Sequence, residues 1–261
     1  MKNKKSIILI HGTWCNGNSW SSDFIEALES LGLTVYTPNL RYHDLPLVEG
    51  ATKIASLSLT DYVNDLVALL RTFSEPVYIL GHSLGGLIAQ LLVAREPERC
   101  HGLILLGPAP MAGIYALYPT MIQAFYKHFI QWKFWKKPLM PNKTTLDRYC
   151  MNLQTQKVRD QFYNHLVAES GRAYAEMALW FFDAKKAAYV DTKVLFAPVL
   201  VISGSEDKVV VSSIAKATAK KYKHATYILL QGADHMYMMG HSLSKTISYI
   251  QTWLEQHRPI H

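Results

Sequence analysis

Apolar residues along this chain fall into short unbroken runs, separated by longer segments in which they recur every third or fourth position. The runs at 7–10, 34–36, 77–80, 103–106, 199–202 and 227–230 lack the polar alternation of a strand with one wet face. They suit parallel strands covered on both sides. From Thr60 onward, Tyr62, Val63, Leu66, Leu69, Leu70 and Phe73 repeat at helical spacing, with Ser58 or Thr60 available as cap and Pro76 beyond the end. Similar spacing marks 23–31, 84–95, 211–222 and 242–256. Strand alternating with helix implies right-handed crossovers and a parallel sheet.

Between 106 and 199 this alternation stops. No convincing strand occurs there, and 110–189 reads as several helices, longer than an ordinary crossover. The expected fold is α/β: a doubly wound, mostly parallel six-stranded sheet with helices on both faces. Its core comprises 1–109 and 190–261, and 110–189 is an inserted helical cap.

Composition narrows the class. The 261 residues, 49% hydrophobic and 18% charged, suit one α/β domain with an insertion. No apolar run approaches the roughly 18 residues of a membrane span. The basic start, Met1 to Lys5, resembles the head of a signal peptide. The apolar run after it is too short, however, and leads into His11-Gly12 in place of a small-residue cleavage site. A strand and a cytoplasmic location are therefore expected. Cys15, Cys100 and Cys150 are odd in number and widely spaced, which fits reduced thiols better than a disulfide framework or a zinc site. The net charge of +7 has no nucleic-acid motif beside it and reads as a basic surface.

The sharpest chemical signal is Gly81-His82-Ser83-Leu84-Gly85, a G-x-S-x-G with a strand before it and a helix after it. A tight strand-to-helix turn strains the serine backbone, and neighbours without side chains let the turn close. Ser83 is the candidate nucleophile. A serine hydroxyl needs a base, and the base needs a partner that fixes its tautomer. His235, in a glycine loop after the last strand, is the candidate base. Asp207, in the loop after the preceding strand, is the candidate orienting acid, with Glu206 and Asp234 as rivals. The order Ser, Asp, His places all three at one edge of the sheet, where open α/β folds bind ligands. Two backbone N–H groups are needed for the oxyanion: Leu84, directly after the nucleophile, and Thr13 in the loop after the first strand, with Trp14 as alternative.

Together, His11-Gly12-Thr13-Trp14, Gly81-His82-Ser83-Leu84-Gly85-Gly86, Gly204-Ser205-Glu206-Asp207 and Gly232-Ala233-Asp234-His235 resemble the α/β-hydrolase superfamily, in its compact members with an inserted cap. The resemblance implies acyl transfer to water through an acyl-enzyme, with no metal or organic cofactor. Serine at 83 sets the chain apart from relatives that use an aspartate nucleophile.

Substrate choice falls to the cap, which is rich in large apolar residues. Trp14, Met111, Tyr115 and Met236 are candidate pocket residues, and a small-to-medium hydrophobic ester or thioester is the expected partner, with no nucleic acid. The run 125–137 interleaves aromatic and basic residues. It admits a membrane surface as partner, although lysine heads in water over buried aromatics is the simpler reading. A lipase at a lipid surface and a slow-turnover ligand receptor are the alternatives; the sequence leaves the oligomeric state open.

Overall fold

The computed structural model describes residues 5–257; the basic start at 1–4 lies outside the described residues. In chain order the elements are β1 (Lys5–Ile10), α1 (Ser22–Ser30), β2 (Leu33–Tyr36), α2 (Leu47–Ile54), α3 (Leu59–Leu70), β3 (Val77–His82), α4 (Leu84–Arg95) and β4 (Cys100–Leu106). There follow α5 (Pro119–Phe129), β5 (Pro138–Leu139), α6 (Lys143–Thr145), which runs into a π-helical turn at Leu146–Cys150, α7 (Gln156–Tyr163), β6 (Glu169–Ser170) and α8 (Gly171–Ala178). The chain ends with β7 (Val199–Gly204), α9 (Ser212–Ala219), β8 (Ala225–Leu230) and α10 (Leu243–Gln256).

All six expected strands form, and they pair in parallel in the order β2-β1-β3-β4-β7-β8. Every residue of β3 and β7 is buried, whereas β2 and β8 at the edges are partly open. The unbroken apolar runs of the central strands thus correspond to cover on both faces. From β1 the chain steps one way to β2, then returns past β1 to β3 and continues to β4. Right-handed connections throughout therefore put α1 on one face and α3 and α4 on the other. The contacts agree: α1 meets α10, and α3 meets α4. The direction of winding switches between β1 and β3, and a crevice opens there above the carboxyl ends of the strands.

Helix starts follow local chemistry. Ser58, one of the two expected caps, accepts from the Thr60 N–H, while Asp61 accepts from the Ser58 N–H in return at 2.8 Å. The α4 helix is buried from Leu84 to Val93. It has no wet face, as fits a helix sealed between the sheet and its neighbours.

The segment between β4 and β7 is largely helical, and its two ends are joined by the Ala112 N–H donating to the Ala188 carbonyl at 2.9 Å. The sequence reading needs one correction here. Strands β5 and β6 do exist in this segment, as an antiparallel pair of two residues each. Such a pair is too short to leave an apolar run. Among the described residues no helix is long and apolar enough to cross a membrane, and all three cysteines are free and buried.

Candidate active site

Strand β3 ends at His82 and α4 begins at Leu84, so Ser83 alone makes the turn. Its φ is +54°, a region that costs a residue with a side chain about 1–3 kcal/mol. Packing holds it there. The Ser83 N–H donates to the Leu106 carbonyl, and the Ser83 carbonyl accepts from the N–H groups of Gly86 and Ala109. The turn closes because Gly85 has no side chain: a Cβ there would stand 2.2 Å from the Ile10 carbonyl oxygen. A Cβ on Gly12 would likewise meet the Ser83 Cβ at 3.0 Å. The oxyanion-loop candidate and the elbow are thus in backbone contact.

His235 lies in the loop after β8, and its Nδ1 is 2.7 Å from Asp207 Oδ2, with both side chains buried. Asp207 accepts three further hydrogen bonds: from the Val209 and Val210 N–H groups to Oδ1, at 2.9 and 2.8 Å, and from the Tyr237 hydroxyl to Oδ2 at 2.5 Å. A carboxylate so supplied holds the proton of His235 on Nδ1 and leaves Nε2 with its lone pair. The rivals are engaged elsewhere. Asp234 accepts from Gln154, Leu153 and Met236, and Glu206 is exposed beside Ser205. Ser83 Oγ makes no hydrogen bond among the described residues, but Ser83 and His235 line the same hollow.

Behind the imidazole lies His82, whose Nε2–H donates to the His235 carbonyl at 2.9 Å; the two rings are 4.6 Å apart. Burial first, and then the neighbouring His235, hold the His82 pKa well below its ordinary value. His82 is therefore a neutral support for the His235 backbone.

Two small hollows meet at Ser83, each with room for about one water, near 20 Å³. One is apolar, lined by Leu84, Met121, Met177 and Ile214. The other is lined by Thr13, Trp14, His235 and Met236. Phe125 of α5 and Tyr174 of α8 border both. Leu84 opens α4, where helix geometry leaves its N–H without an intrahelical acceptor. Thr13 is half-buried, and its hydroxyl is 2.7 Å from that of Tyr174. Trp14 adopts a positive φ of 63° and donates its indole N–H to the Leu139 carbonyl.

Of the four expected pocket residues, Trp14 and Met236 border a hollow beside Ser83. Met111 is buried but lines neither hollow, and Tyr115 is 62% exposed, its ring 6.3 Å from that of Tyr118. The chain past β4 reaches the apolar hollow through Ala109, Pro110 and Ala116 instead, and α5 and α8 add Met121, Phe125, Tyr174 and Met177. Tyr237 and Tyr174 were missed. Tyr237 stands two residues after the candidate base, but nothing local shows that its hydroxyl reaches Asp207.

Comparison with known proteins places this geometry. The model of the alpha/beta hydrolase fold family matches residues 5–242. A pimeloyl-[acyl-carrier protein] methyl ester esterase of Pectobacterium carotovorum is 24% identical over 247 residues, 90% of this chain and 89% of that protein. The esterase of the same name from Yersinia enterocolitica matches more locally, 30% identical over 106 residues; the match spans 40% of this chain and 36% of the relative. Among solved structures, a monoacylglycerol lipase of Paleococcus ferrophilus superposes with a TM-score of 0.70 at 20% identity, covering 97% of this chain and 94% of that one. A methylesterase from Arabidopsis gives 0.74 at 13% identity, covering 97% and 99%. With the family match spanning the sheet, the elbow and the helical insertion, the chain belongs to the alpha/beta hydrolase fold family.

Proposed function

We propose that this chain is a serine hydrolase that cleaves a carboxylic ester or thioester of a hydrophobic substrate through an acyl-enzyme. The observation that carries the reading is the buried 2.7 Å contact of His235 Nδ1 with Asp207, with His235 and the strained Ser83 lining one hollow. Ser83 Oγ attacks the carbonyl carbon as His235 Nε2 takes its proton. The carbonyl oxygen becomes an oxyanion, received by the N–H groups of Thr13 and Leu84. Collapse breaks the bond to the alcohol or thiol, which leaves with the proton from His235. Water, deprotonated in turn by His235, then releases the acid. Asp207 stabilises the imidazolium with its four donors in place. The hydrogen bond from Ser83 to His235 is of the kind that closes when substrate fills the site.

The relatives support the ester class: their names specify a methyl ester esterase, a monoacylglycerol lipase and a methylesterase. The hydrophobic substrate is supported by the apolar hollow on the Leu84 side. Segment 110–189 serves as the cap that closes over Ser83. Because each hollow holds about one water, α5 or α8 must move for an acyl chain to enter.

The test is hydrolysis of a chain-length series of p-nitrophenyl esters by wild type and Ser83→Ala. We expect wild-type turnover and a loss of at least about a thousandfold in kcat for the variant. Equal rates, or no turnover of any ester by wild type, would refute the reading.

A further inference from the structure

Helix α5 buries one apolar side and bares further large apolar residues on the other. Met121, Ala124 and Phe125 are buried, and Met121 and Phe125 roof the hollow beside Ser83. Ile122, Tyr126 and Ile130 are spaced by four and so share the other side, where they are 42%, 46% and 74% exposed. The turn that follows bares Trp132 and Trp135 as well, at 77% and 41%. A helix on the surface of a globular protein carries one apolar stripe and a polar back. Here the outward side carries Ile122, Tyr126 and Ile130 beside Gln123 and Lys127, so large apolar groups stand uncovered among polar ones.

Charge indicates what covers it. Lys127, Lys133, Lys136 and Lys137 interleave with these residues, and none of the four forms an ion pair among the described residues. From 99 to 146 the chain contains no Asp or Glu. Lys133 Nζ lies 5.7 Å from the centre of the Trp132 ring. Bare tryptophan and isoleucine within a field of lysines match a boundary with an apolar interior beneath a layer of negative phosphates. Buried aromatics under lysine heads, the simpler reading of the sequence, describe Phe125 and Phe134 but not Trp132.

We propose that the outer side of α5 and the turn after it, 122–137, dock on an anionic lipid surface. Ile130 and Trp132 enter the boundary between headgroups and acyl chains, and the lysines meet lipid phosphates. The same helix roofs Ser83, so the element that meets the lipid is one of the two that border the way in for substrate. The substrate class that follows, an amphiphilic ester lodged in that surface, rests on the ester hydrolase reading; the docking itself does not.

The test uses the full chain carrying Ser83→Ala, so that no lipid is consumed, and cosedimentation with vesicles. Binding is expected to vesicles of phosphatidylglycerol and phosphatidylcholine in equal parts, to weaken as salt rises, and to be absent with phosphatidylcholine alone. The triple change Lys133→Glu, Lys136→Glu, Lys137→Glu should weaken binding by at least about a hundredfold, at roughly fivefold per lost charge. Ile130→Ser with Trp132→Ser should weaken it by at least about a hundredfold. An unchanged melting temperature shows that these exposed substitutions leave the fold intact. No binding at low salt, equal binding by the variants, or retention by an acidic protein without binding to vesicles would overturn the proposal. Vesicle binding without any ester turnover by wild type would instead refute the hydrolase reading and leave the docking standing.

Discussion

Asp207 is the most heavily supplied polar group around Ser83. It accepts from two backbone N–H groups, an imidazole and a phenol, and Tyr237 in turn accepts from the Gly204 N–H at 3.0 Å. Burial first, then the Asp207 charge, raises the Tyr237 pKa well above its ordinary value, so the phenol keeps its proton and remains a donor. Two substitutions separate orientation from charge. Asp207→Asn removes the acceptor that fixes the His235 tautomer and should lower kcat by about 10⁴. Tyr237→Phe leaves that tautomer in place but strips one donor from Asp207 and orphans the Gly204 N–H. It should reduce kcat about tenfold and cost roughly 1–3 kcal/mol of stability. Steady-state kinetics and thermal melts on both variants check this. A kcat for Tyr237→Phe equal to wild type would mean that Tyr237 only fills space. Ser83 and His235 were legible from their glycine loops. Asp207 was separable from Glu206 and Asp234 only once each carboxylate had its partners.

At the scale of elements, the elbow and the α3 start each hold a junction together. In α4, Gly85 rests against the carbonyl oxygens of Ile10 and His11, so a methyl group there pushes the helix off β1. Gly85→Ala should destabilise the protein by about 3 kcal/mol or more, read as a lowered denaturation midpoint; a shift of a few tenths of a kcal/mol would show that the turn can spread. The start of α3 is capped twice, by its own Ser58 and by Glu176 of α8. Glu176 accepts from the Ser58 hydroxyl and the Leu59 N–H and pairs with Arg172 at 2.9 Å. This contact binds the helical insertion to the core. The sequence showed the Ser58 cap, because that signal is local, and gave no sign that Glu176, 118 positions away, reaches it. Helix α2 was also unread.

Over the whole molecule, buried histidines contribute to the response to acid. His11 is fully enclosed: its Nδ1–H donates to the Gly12 carbonyl and its Nε2 accepts from the Leu40 N–H. Burial, then the nearby His43, lowers its pKa from 6.5 to about 3. The unfolded chain therefore binds a proton at this site below about pH 6.5, whereas the folded chain binds it only near pH 3. Stability is full above pH 6.5 and falls as pH drops toward 3, by up to about 1.4 kcal/mol per unit for each such histidine. His82, whose pKa is lowered for the same first cause, adds in the same direction. His11→Gln, which retains an acceptor for Leu40, should make stability less steep in pH below 6.5 by about one proton. Denaturant titrations across this range check it, and an unchanged slope would assign the acid response elsewhere.

The sequence by itself determined the sheet, its parallel sense, the elbow at Ser83 and the loop that presents His235. Those features are written in neighbouring residues: apolar runs of strand length, helical spacing, and glycines where a turn must close. Only the tertiary structure decided which carboxylate meets His235, that Tyr237 and Tyr174 stand beside the site, that Met111 and Tyr115 stand outside the two hollows at Ser83, and that Ile130 and Trp132 are bare. Each of these depends on which side chains meet across long stretches of chain, and no periodicity along the sequence encodes such meetings.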